Sequence, residues 1–232
     1  MRASNAPILA VHAGLVPYGV AWDWQRALVA RRAADEIGDV LLTLVHPRVY
    51  TAGKRAHADN VLWDQAQRDA RGIELFEVDR GGDVTYHGPG QLVAYPIVKL
   101  DDSRRVVDYV RLLEEACIRV IGSHGIVAGR DAEHPGVWVG DDKLVAVGVR
   151  VNAGGVTSHG LAMNVTTDLT DFSGIVPCGI GDRGVCSLAS LGVEATVDAT
   201  VERLRRAFAE LFGCSIEATT TNALELAVPV AT

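Results

Sequence analysis

Three stretches of the chain carry the apolar spacing or the end signals of a helix. In residues 105–122 apolar side chains recur at three- and four-residue steps, and Gly125 follows soon after. Residues from about Thr200 to Phe212 repeat that pattern, and Gly213 marks their end. Residues from Pro17 to about Glu36 hold few helix breakers after a proline, which suits a first helical turn. The sequence therefore predicts three helices.

Shorter apolar runs between these helices are typical of β-strands. Val40 to Val45 is a short apolar run that ends at His46-Pro47, and Ile73 to Val78 alternates apolar with polar residues. Leu92 to Leu100 is a longer apolar run. Each of the three is predicted to be a strand.

A β-hairpin is predicted in the second half of the chain. Val137 to Val139 and Leu144 to Val151 flank the polar turn Gly140 to Asp142, and Lys143 begins the second strand. The predicted strands and helices follow no regular βαβ order and no repeat. The sequence therefore predicts an α+β (α/β) fold with a central mixed, largely antiparallel sheet that is flanked by helices.

Length and composition indicate one domain. A chain of 232 residues that is 48% hydrophobic can bury the core of a single domain. We expect that domain to span residues 1–232, with its core at about 8–212. Residues 218–232 are rich in small residues and uncharged apart from Glu225, so this tail is predicted to be partly disordered.

Charge and hydropathy exclude several functional classes. Twenty-two Lys plus Arg against 29 Asp plus Glu give a net charge of -7, which offers no field for a polyanion and argues against nucleic acid as a partner. The N-terminal apolar run from Pro7 to Val11 is too short for a signal peptide, and no stretch approaches the roughly 20 apolar residues that cross a bilayer. We expect a soluble protein that makes no membrane contact.

The four cysteines do not form a disulfide or zinc pattern. Cys117, Cys178, Cys186 and Cys214 lie far apart and include no CxxC pair. Cys117 is predicted to face the core from the helix at residues 105–122. Free thiols of this kind are typical of a cytoplasmic protein, and no metal site is expected.

A glycine-rich segment lies between two predicted strands. Arg80 to Gln91 contains four glycines and one proline, and glycine lets the backbone approach a ligand closely. A hairpin with tight turns would have the same composition. The segment is neither a Walker A motif nor a GxGxxG that opens a helix, so a phosphate site is not predicted.

Cys178 is a candidate nucleophile. It stands between Pro177 and Gly179 in a turn, where its sulfur is uncrowded, although most free cysteines are inert core residues. A nearby ammonium such as Lys143 would favour the thiolate, but spacing alone does not place Lys143 beside Cys178. A Cys-His pair with His87 or His159 is the competing chemistry.

An ordered set of short motifs resembles the lipoyl(octanoyl) transferases. The motifs span residues from about 8 to 212. They are His46-Pro47 with Tyr50 to Gly53, Arg80 to Thr85, His87 to Gln91, Gly136 to Val139, Lys143, Val147 to Arg150, Ser158 to Asn164 and Pro177 to Ile180.

The resemblance implies a fold and specific site residues. The fold would be similar to the catalytic domain of biotin and lipoate protein ligases. Cys178 would attack an acyl thioester, and Lys143 would lower the pKa of its thiol and relay protons. The acyl group would be bound by Arg80, Gly81, Gly82, Asp83, Val84, Thr85, Tyr86, His87, Ala146, Val147, Gly148, His159, Gly160, Leu161 and Ala162.

The resemblance also implies substrates. An octanoyl group would pass from acyl carrier protein to a lysine of lipoyl domains. These domains would be those of the E2 subunits of 2-oxoacid dehydrogenases and of the glycine cleavage H protein. The enzyme would act as a monomer and without a cofactor. Carrier proteins are acidic, so Lys54-Arg55 or Arg104-Arg105 would form a local basic patch.

Two other functions fit the same motifs. One is an ATP-dependent biotin or lipoate ligase, and the other is an inactive scaffold that binds carrier protein. The chain departs from the family where Cys186-Ser187-Leu188 stands in place of Thr-Ser-Leu. We interpret Cys186 as a harmless replacement of the threonine.

Overall fold

The computed structural model describes residues 1–177 and 183–226, which form ten strands and four α-helices. The strands are β1 (Ile8–Leu15), β2 (Val40–Val45), β3 (Val49–Ala52), β4 (Glu74–Glu77), β5 (Val84–His87), β6 (Gln91–Ile97), β7 (Gly136–Val139), β8 (Asp142–Val151), β9 (Thr157–Asn164) and β10 (Ile216–Ala218). The helices are α1 (Tyr18–Ala33), α2 (Gln65–Asp69), α3 (Val106–Gly122) and α4 (Val197–Phe212).

Seven of the strands form one mixed sheet in the order β10-β1-β2-β6-β9-β8-β7. The pairs β10/β1 and β1/β2 are parallel, and the other four neighbouring pairs are antiparallel. A second sheet has the order β4-β3-β5. The predicted fold class, a mixed and largely antiparallel sheet flanked by helices, is confirmed.

The two faces of the large sheet bury different cores. Helices α3 and α4 pack against one face, where Leu92 and Ala94 of β6 lie. Helix α1 packs against the other face, where Val93 and Tyr95 lie. Because successive side chains of a strand point to opposite faces, one apolar run serves both cores. The α1 face also carries the cavity described below.

The ends of the helices follow from local sequence. Pro17 precedes α1, and the side chain of Thr196 accepts a hydrogen bond from the backbone N–H of Ala199 at the start of α4. Gly213 ends α4 in the left-handed region at φ 61°. The three predicted helices are therefore confirmed, and α4 begins three residues earlier than expected because Thr196 caps it.

The C-terminal segment differs from the disorder that composition suggests. Ile216–Ala218 pairs in parallel with β1, and the side chains of Leu224 and Leu226 are buried beside α1. Arg31 of α1 also donates a hydrogen bond to the carbonyl of Leu224 at 2.8 Å. These two leucines tie residues 219–226 to the core. Residues 227–232, the rest of the tail for which partial disorder is predicted, lie outside the described residues.

Within the described ranges, no helix combines the length and the apolar character that a membrane span requires.

Candidate active site

A cavity lies between the small sheet and the α1 face of the large sheet. Its volume of about 490 Å³, open mouth included, is within the usual range for small-molecule sites. Its lining residues are Tyr18, Arg80, Gly82, Asp83, Val84, Thr85, His87, Val93, Tyr95, Ala146, Val147, Gly148, His159, Gly160, Leu161 and Ala162.

Small residues on adjacent strands create the space. Ala146 of β8 pairs with Ala162 of β9, and Gly148 pairs with Gly160 in the next row. All four lie on the sheet face that is turned toward α1, where larger side chains would fill the cavity. A Cβ atom at Gly148 would lie 3.0 Å from the carbonyl oxygen of Gly81, so glycine also lets the glycine-rich segment approach the sheet.

Arg80 forms part of the wall as a fixed group. Its Nη2 donates to the carbonyl oxygen of Thr51 at 2.6 Å and to the Thr51 hydroxyl at 2.9 Å. Its Nη1 donates to the carbonyl oxygen of Gly81 at 3.0 Å. The guanidinium group therefore joins β3 to the glycine-rich segment and holds the small sheet over the cavity.

A second, smaller cavity of about 280 Å³ adjoins the first and shares Thr85, Ala146 and Ala162 with it. Its other lining residues are Gln91, Lys143, Asn164, Phe172, Pro177 and Val185. The two cavities therefore adjoin along the sheet. Lys143 lies in the smaller cavity, on the side away from the larger one.

Lys143 is held in place by its surroundings. Its side chain is only 6% exposed, and its Nζ lies 4.6 Å from the centre of the Trp138 ring, which is within cation–π range. Its backbone N–H donates to Gly184 at 3.0 Å, and its carbonyl accepts from Cys186 at 3.1 Å. The segment at residues 184–186 therefore runs beside Lys143.

Cys178, the candidate nucleophile, lies outside the described residues, in the stretch 178–182. The residues on both sides of that stretch, Pro177 and Val185, line the same small cavity as Lys143. The backbone N–H of Val176 also donates to the carbonyl of Asn60 at 2.8 Å. Both chain ends that flank the cysteine turn are thus fixed next to Lys143.

A row of buried amides links the cavity wall to that segment. Asn164 Nδ2 donates to the carbonyl of Cys186 at 2.9 Å, and Asn164 Oδ1 accepts from Gln91 Nε2 at 2.9 Å. Gln91 Nε2 also donates to the carbonyl of Tyr86 at 3.1 Å, so Gln91 Oε1 is the atom that faces His87. Because a backbone carbonyl can only accept, each amide has one orientation.

The same row fixes the protonation of His87. Its Nδ1 lies 2.7 Å from Gln91 Oε1, which can only accept, so Nδ1 carries the proton and Nε2 does not. Burial holds the pKa of His87 well below its ordinary value, and the neighbouring His46 acts in the same direction. His87 is therefore a neutral wall residue at physiological pH.

His159 is the other histidine of the cavity. It has a left-handed backbone at φ 56°, and its backbone N–H donates to Gln25 Oε1 at 2.7 Å. Its Nε2 lies 2.8 Å from Asp79 Oδ1. Burial lowers the pKa of His159 overall, although the hydrogen bond to Asp79 acts in the opposite direction.

Most of the predicted acyl-binding residues meet at this cavity, but two lie elsewhere. Tyr86 points away from it, packs against Phe172 and donates from its hydroxyl to Asp171 Oδ2 at 3.0 Å. Gly81 lines an outer pocket of about 1090 Å³, which shares Gly82, Asp83, Val147 and Gly148 with the cavity. That outer pocket also contains Lys143 and opens to the surface.

Three lining residues were not predicted from the sequence: Tyr18, Val93 and Tyr95. The alternation of β6 was the available signal, since Val93 and Tyr95 share a face with Gln91. The apolar run from Leu92 to Val98 concealed this alternation. Tyr18 reaches the cavity from the first turn of α1, which local sequence does not indicate.

Cys186 is a buried thiol. Its Sγ lies 3.7 Å from the carbonyl oxygen of Asp142, and burial raises the pKa of the thiol to about 11. The Cys186 thiol is therefore protonated and uncharged at physiological pH, like the hydroxyl of the threonine that it replaces. Among the described residues, no three His, Cys, Asp or Glu side chains form a group that could hold a metal ion.

Comparison with known proteins identifies the family. Residues 17–209 match the lipoyl protein ligase A/B catalytic domain. An octanoyltransferase of Chloroflexus aurantiacus is 50% identical over 209 residues, which cover 88% of this chain and 94% of that protein.

Solved structures show the same fold at low identity. A bi-partite lipoate protein ligase of Thermoplasma acidophilum has a TM-score of 0.73 at 20% identity, with 95% of this chain and 91% of that chain covered. A biotin protein ligase of Leishmania major has a TM-score of 0.55 at 10% identity, with 90% and 76% covered. The expected likeness to these ligases is confirmed. On the identity and coverage of its relatives, the chain belongs to the lipoyl(octanoyl) transferase family of acyltransferases.

Proposed function

We propose that this protein transfers an octanoyl group from acyl carrier protein to a lysine of lipoyl domains through a thioester on Cys178. The observation that carries the proposal is the buried side chain of Lys143, which shares a small cavity with Pro177 and Val185 on either side of the cysteine turn. Pro177, which lines that cavity, directly precedes Cys178 in the sequence.

In the first half-reaction, the Cys178 thiolate attacks the carbonyl carbon of the octanoyl thioester. The carbon–sulfur bond to the carrier breaks, and the carrier sulfur leaves as a thiol with a proton from the Lys143 ammonium, which becomes a neutral amine. One thioester replaces another, so the step is close to isoenergetic and needs no ATP.

In the second half-reaction, the uncharged amine of the acceptor lysine attacks the same carbonyl carbon. An amide forms, the Cys178 thiolate is regenerated, and the proton of the amine is transferred to a base. We assign this proton transfer to the neutral amine of Lys143, since burial holds the pKa of His87 well below its ordinary value and also lowers the pKa of His159, which makes both imidazoles weaker bases.

Lys143 also favours the thiolate of Cys178. A nearby ammonium lowers the pKa of a thiol because it stabilises the charged form, and burial of Lys143 at 6% exposure limits screening by water. The contact of Lys143 Nζ with the Trp138 ring supports a fixed position for the charge.

The adjoining cavities support an alkyl substrate. Ala146 and Ala162 line both of them, which leaves an apolar path from Lys143 into the larger space. An acyl chain on Cys178 would lie along that path with its carbonyl group near Lys143.

We place the docking site for acyl carrier protein at Lys54-Arg55 rather than at Arg104-Arg105. Arg104 and Arg105 form ion pairs with Asp102 and Asp108, at 2.9 and 2.8 Å. Lys54 and Arg55 are exposed and form no ion pair with the described residues, and Arg55 lines the outer pocket that contains Lys143. Their charge is therefore available to an acidic carrier.

The acceptors we propose are lipoyl domains of the 2-oxoacid dehydrogenase E2 subunits and the glycine cleavage H protein. We propose that the transfer takes place in the cytoplasm. The relatives support this substrate class, since they are named octanoyltransferases.

A discharge assay tests the proposal. Octanoyl acyl carrier protein, the enzyme and a lipoyl domain are mixed without ATP, and the mass of the lipoyl domain is followed. We expect one octanoyl amide on the lipoyl domain. Transfer only after ATP is added would indicate a ligase, and no transfer in either case would indicate a scaffold.

A further inference from the structure

Two tyrosines that pack on a histidine form part of the cavity wall, on the side away from Gln91 and Lys143. Tyr18 and Tyr95 line the cavity, and His46 lies behind them; all three are buried. The rings of Tyr18 and His46 are 5.0 Å apart between centroids. We call these three residues the end wall.

Hydrogen bonds fix the end wall. His46 Nδ1 lies 2.7 Å from the carbonyl oxygen of Val16, which can only accept, so Nδ1 carries the ring proton. His46 Nε2 is then an acceptor, and the hydroxyl of Tyr95 donates to it at 2.8 Å. Burial lowers the pKa of His46 to about 4, so this arrangement persists at physiological pH. The Tyr95 ring is anchored at its far end.

The distance from the reactive end to the end wall follows from the sheet register. Gln91 and Asn164 form one row across the sheet beside Lys143, and Val93 and Ala162 form the next row. Tyr95 lies two residues further along the same face of β6. Four residues of strand, from Gln91 to Tyr95, span about 13 Å at about 3.3 Å per residue.

An extended eight-carbon chain fits this length. Seven carbon–carbon bonds of about 1.5 Å with bond angles near 111° extend about 9 Å. One van der Waals contact of about 3.5–4.0 Å with the wall brings the total to about 13 Å. Ten carbons would need roughly 2.5 Å more, at the same advance per bond.

We propose that the end wall of Tyr18, Tyr95 and His46 sets the length of the acyl chain that this enzyme accepts. The inference rests on the proposed acyl transfer. A longer chain must displace the Tyr95 ring and leave His46 Nε2 without a donor, which lowers affinity roughly 5- to 150-fold. Two further methylenes gain about 15-fold in total when they are buried, which is comparable with this loss, so ten carbons should bind no more tightly than eight.

Two variants test the wall in the full-length protein. Tyr95→Val removes the ring, and we expect the ratio of kcat/KM for decanoyl over octanoyl carrier protein to rise on the order of 15-fold, from two methylenes at about fourfold each. Tyr95→Phe keeps the ring without the anchor, and we expect the same ratio to rise at least about fivefold. Because Tyr95→Phe retains the volume of the core, it serves if Tyr95→Val does not fold.

Tyr109→Val is the matched control. Tyr109 is equally buried but lies in the core on the opposite face of the sheet, among α3 and α4. It should lose stability as Tyr95→Val does and keep the wild-type ratio. An unchanged ratio in a folded Tyr95 variant, or an equal rise in Tyr109→Val, would overturn the inference.

Binding of free fatty acids separates this inference from the proposed function. By calorimetry on the wild type, we expect affinity to rise on the order of 15-fold from hexanoate to octanoate and not to rise from octanoate to decanoate. If affinity stops rising after octanoate but no acyl transfer is observed, the proposed transferase function is refuted and the proposed role of the end wall is supported. A continued rise to decanoate would refute the end wall.

Discussion

The buried amides Gln91 and Asn164 should behave as one unit. Replacing Asn164 by leucine removes the donor to the Cys186 carbonyl and the acceptor for Gln91 Nε2, at 2.9 Å each. Replacing Gln91 by leucine leaves Asn164 Oδ1 and His87 Nδ1 without partners and removes the side-chain donor to the Tyr86 carbonyl. At about 1 kcal/mol or more for each buried group left unpaired, Asn164→Leu should cost about 2 kcal/mol of unfolding free energy and Gln91→Leu about 3 kcal/mol.

The double variant distinguishes a linked row from two separate bonds. In Gln91→Leu/Asn164→Leu, the two amides no longer leave each other unpaired, and the groups that lose a partner are the Cys186 carbonyl, the Tyr86 carbonyl and His87 Nδ1. The double substitution should therefore cost about 3 kcal/mol rather than the additive value of about 5 kcal/mol.

Urea unfolding of the four proteins measures this cycle, since the midpoint and slope give the unfolding free energy. The thermal midpoint should fall by about 2–4 °C for each kcal/mol in a chain of this size. Additivity to within about 0.5 kcal/mol would show that the side chains of Gln91 and Asn164 do not interact, which would contradict a linked row.

Three further results are expected. His46 should account for a fall of up to about 3 kcal/mol in wild-type stability as pH falls from 6.5 to 4, because the unfolded state binds a proton at His46 that the folded state excludes. In urea unfolding, His46→Gln should lose that much less stability over this range, while the buried His87 should contribute equally in both proteins. Lys143→Met should raise the pKa of the Cys178 thiol and slow its alkylation by iodoacetamide about tenfold at pH 6.5; an unchanged rate would contradict the role of Lys143. Charge reversal at Lys54-Arg55 should raise KM for octanoyl carrier protein but not for a small octanoyl thioester. Charge reversal at Arg104-Arg105 should alter neither KM. An equal rise for both substrates in the Lys54-Arg55 variant would count against docking at that site.

Local pattern was enough to predict much of the fold. The run Val40 to Val45 is a strand with those bounds, and the helix at residues 105–122 begins one residue later than predicted. The polar turn Gly140 to Asp142 predicted the hairpin of β7 and β8, although β8 begins at Asp142. In these segments side-chain periodicity and turn residues agree with the final structure.

Other parts depend on contacts between distant residues. β1 is a strand because it lies between β2 and β10, and its sequence contains His12 and Gly14, which weaken the local signal. The segment at Leu224 and Leu226 is ordered by packing against α1. Neither pairing is encoded in the neighbouring residues.

The candidate site shows the same division. Residues in Arg80 to His87 were expected to bind the acyl group together, but strand alternation turns Tyr86 toward Phe172 while Thr85 and His87 face the cavity. Tyr95 was not predicted, because its role depends on pairing between β6 and β9. A sequence motif identifies the segment that lines the site, but strand pairing and alternation in the sheet determine which of its side chains face the cavity.

The most direct test of an acyl thioester on Cys178 is intact-protein mass spectrometry after brief incubation with octanoyl acyl carrier protein and no ATP. The wild type and the Cys186→Ser control should each gain one octanoyl group, which a lipoyl domain then removes, and Cys178→Ser should gain none. An octanoyl adduct that persists in Cys178→Ser, or a wild type that never acquires one, would contradict a thioester on Cys178.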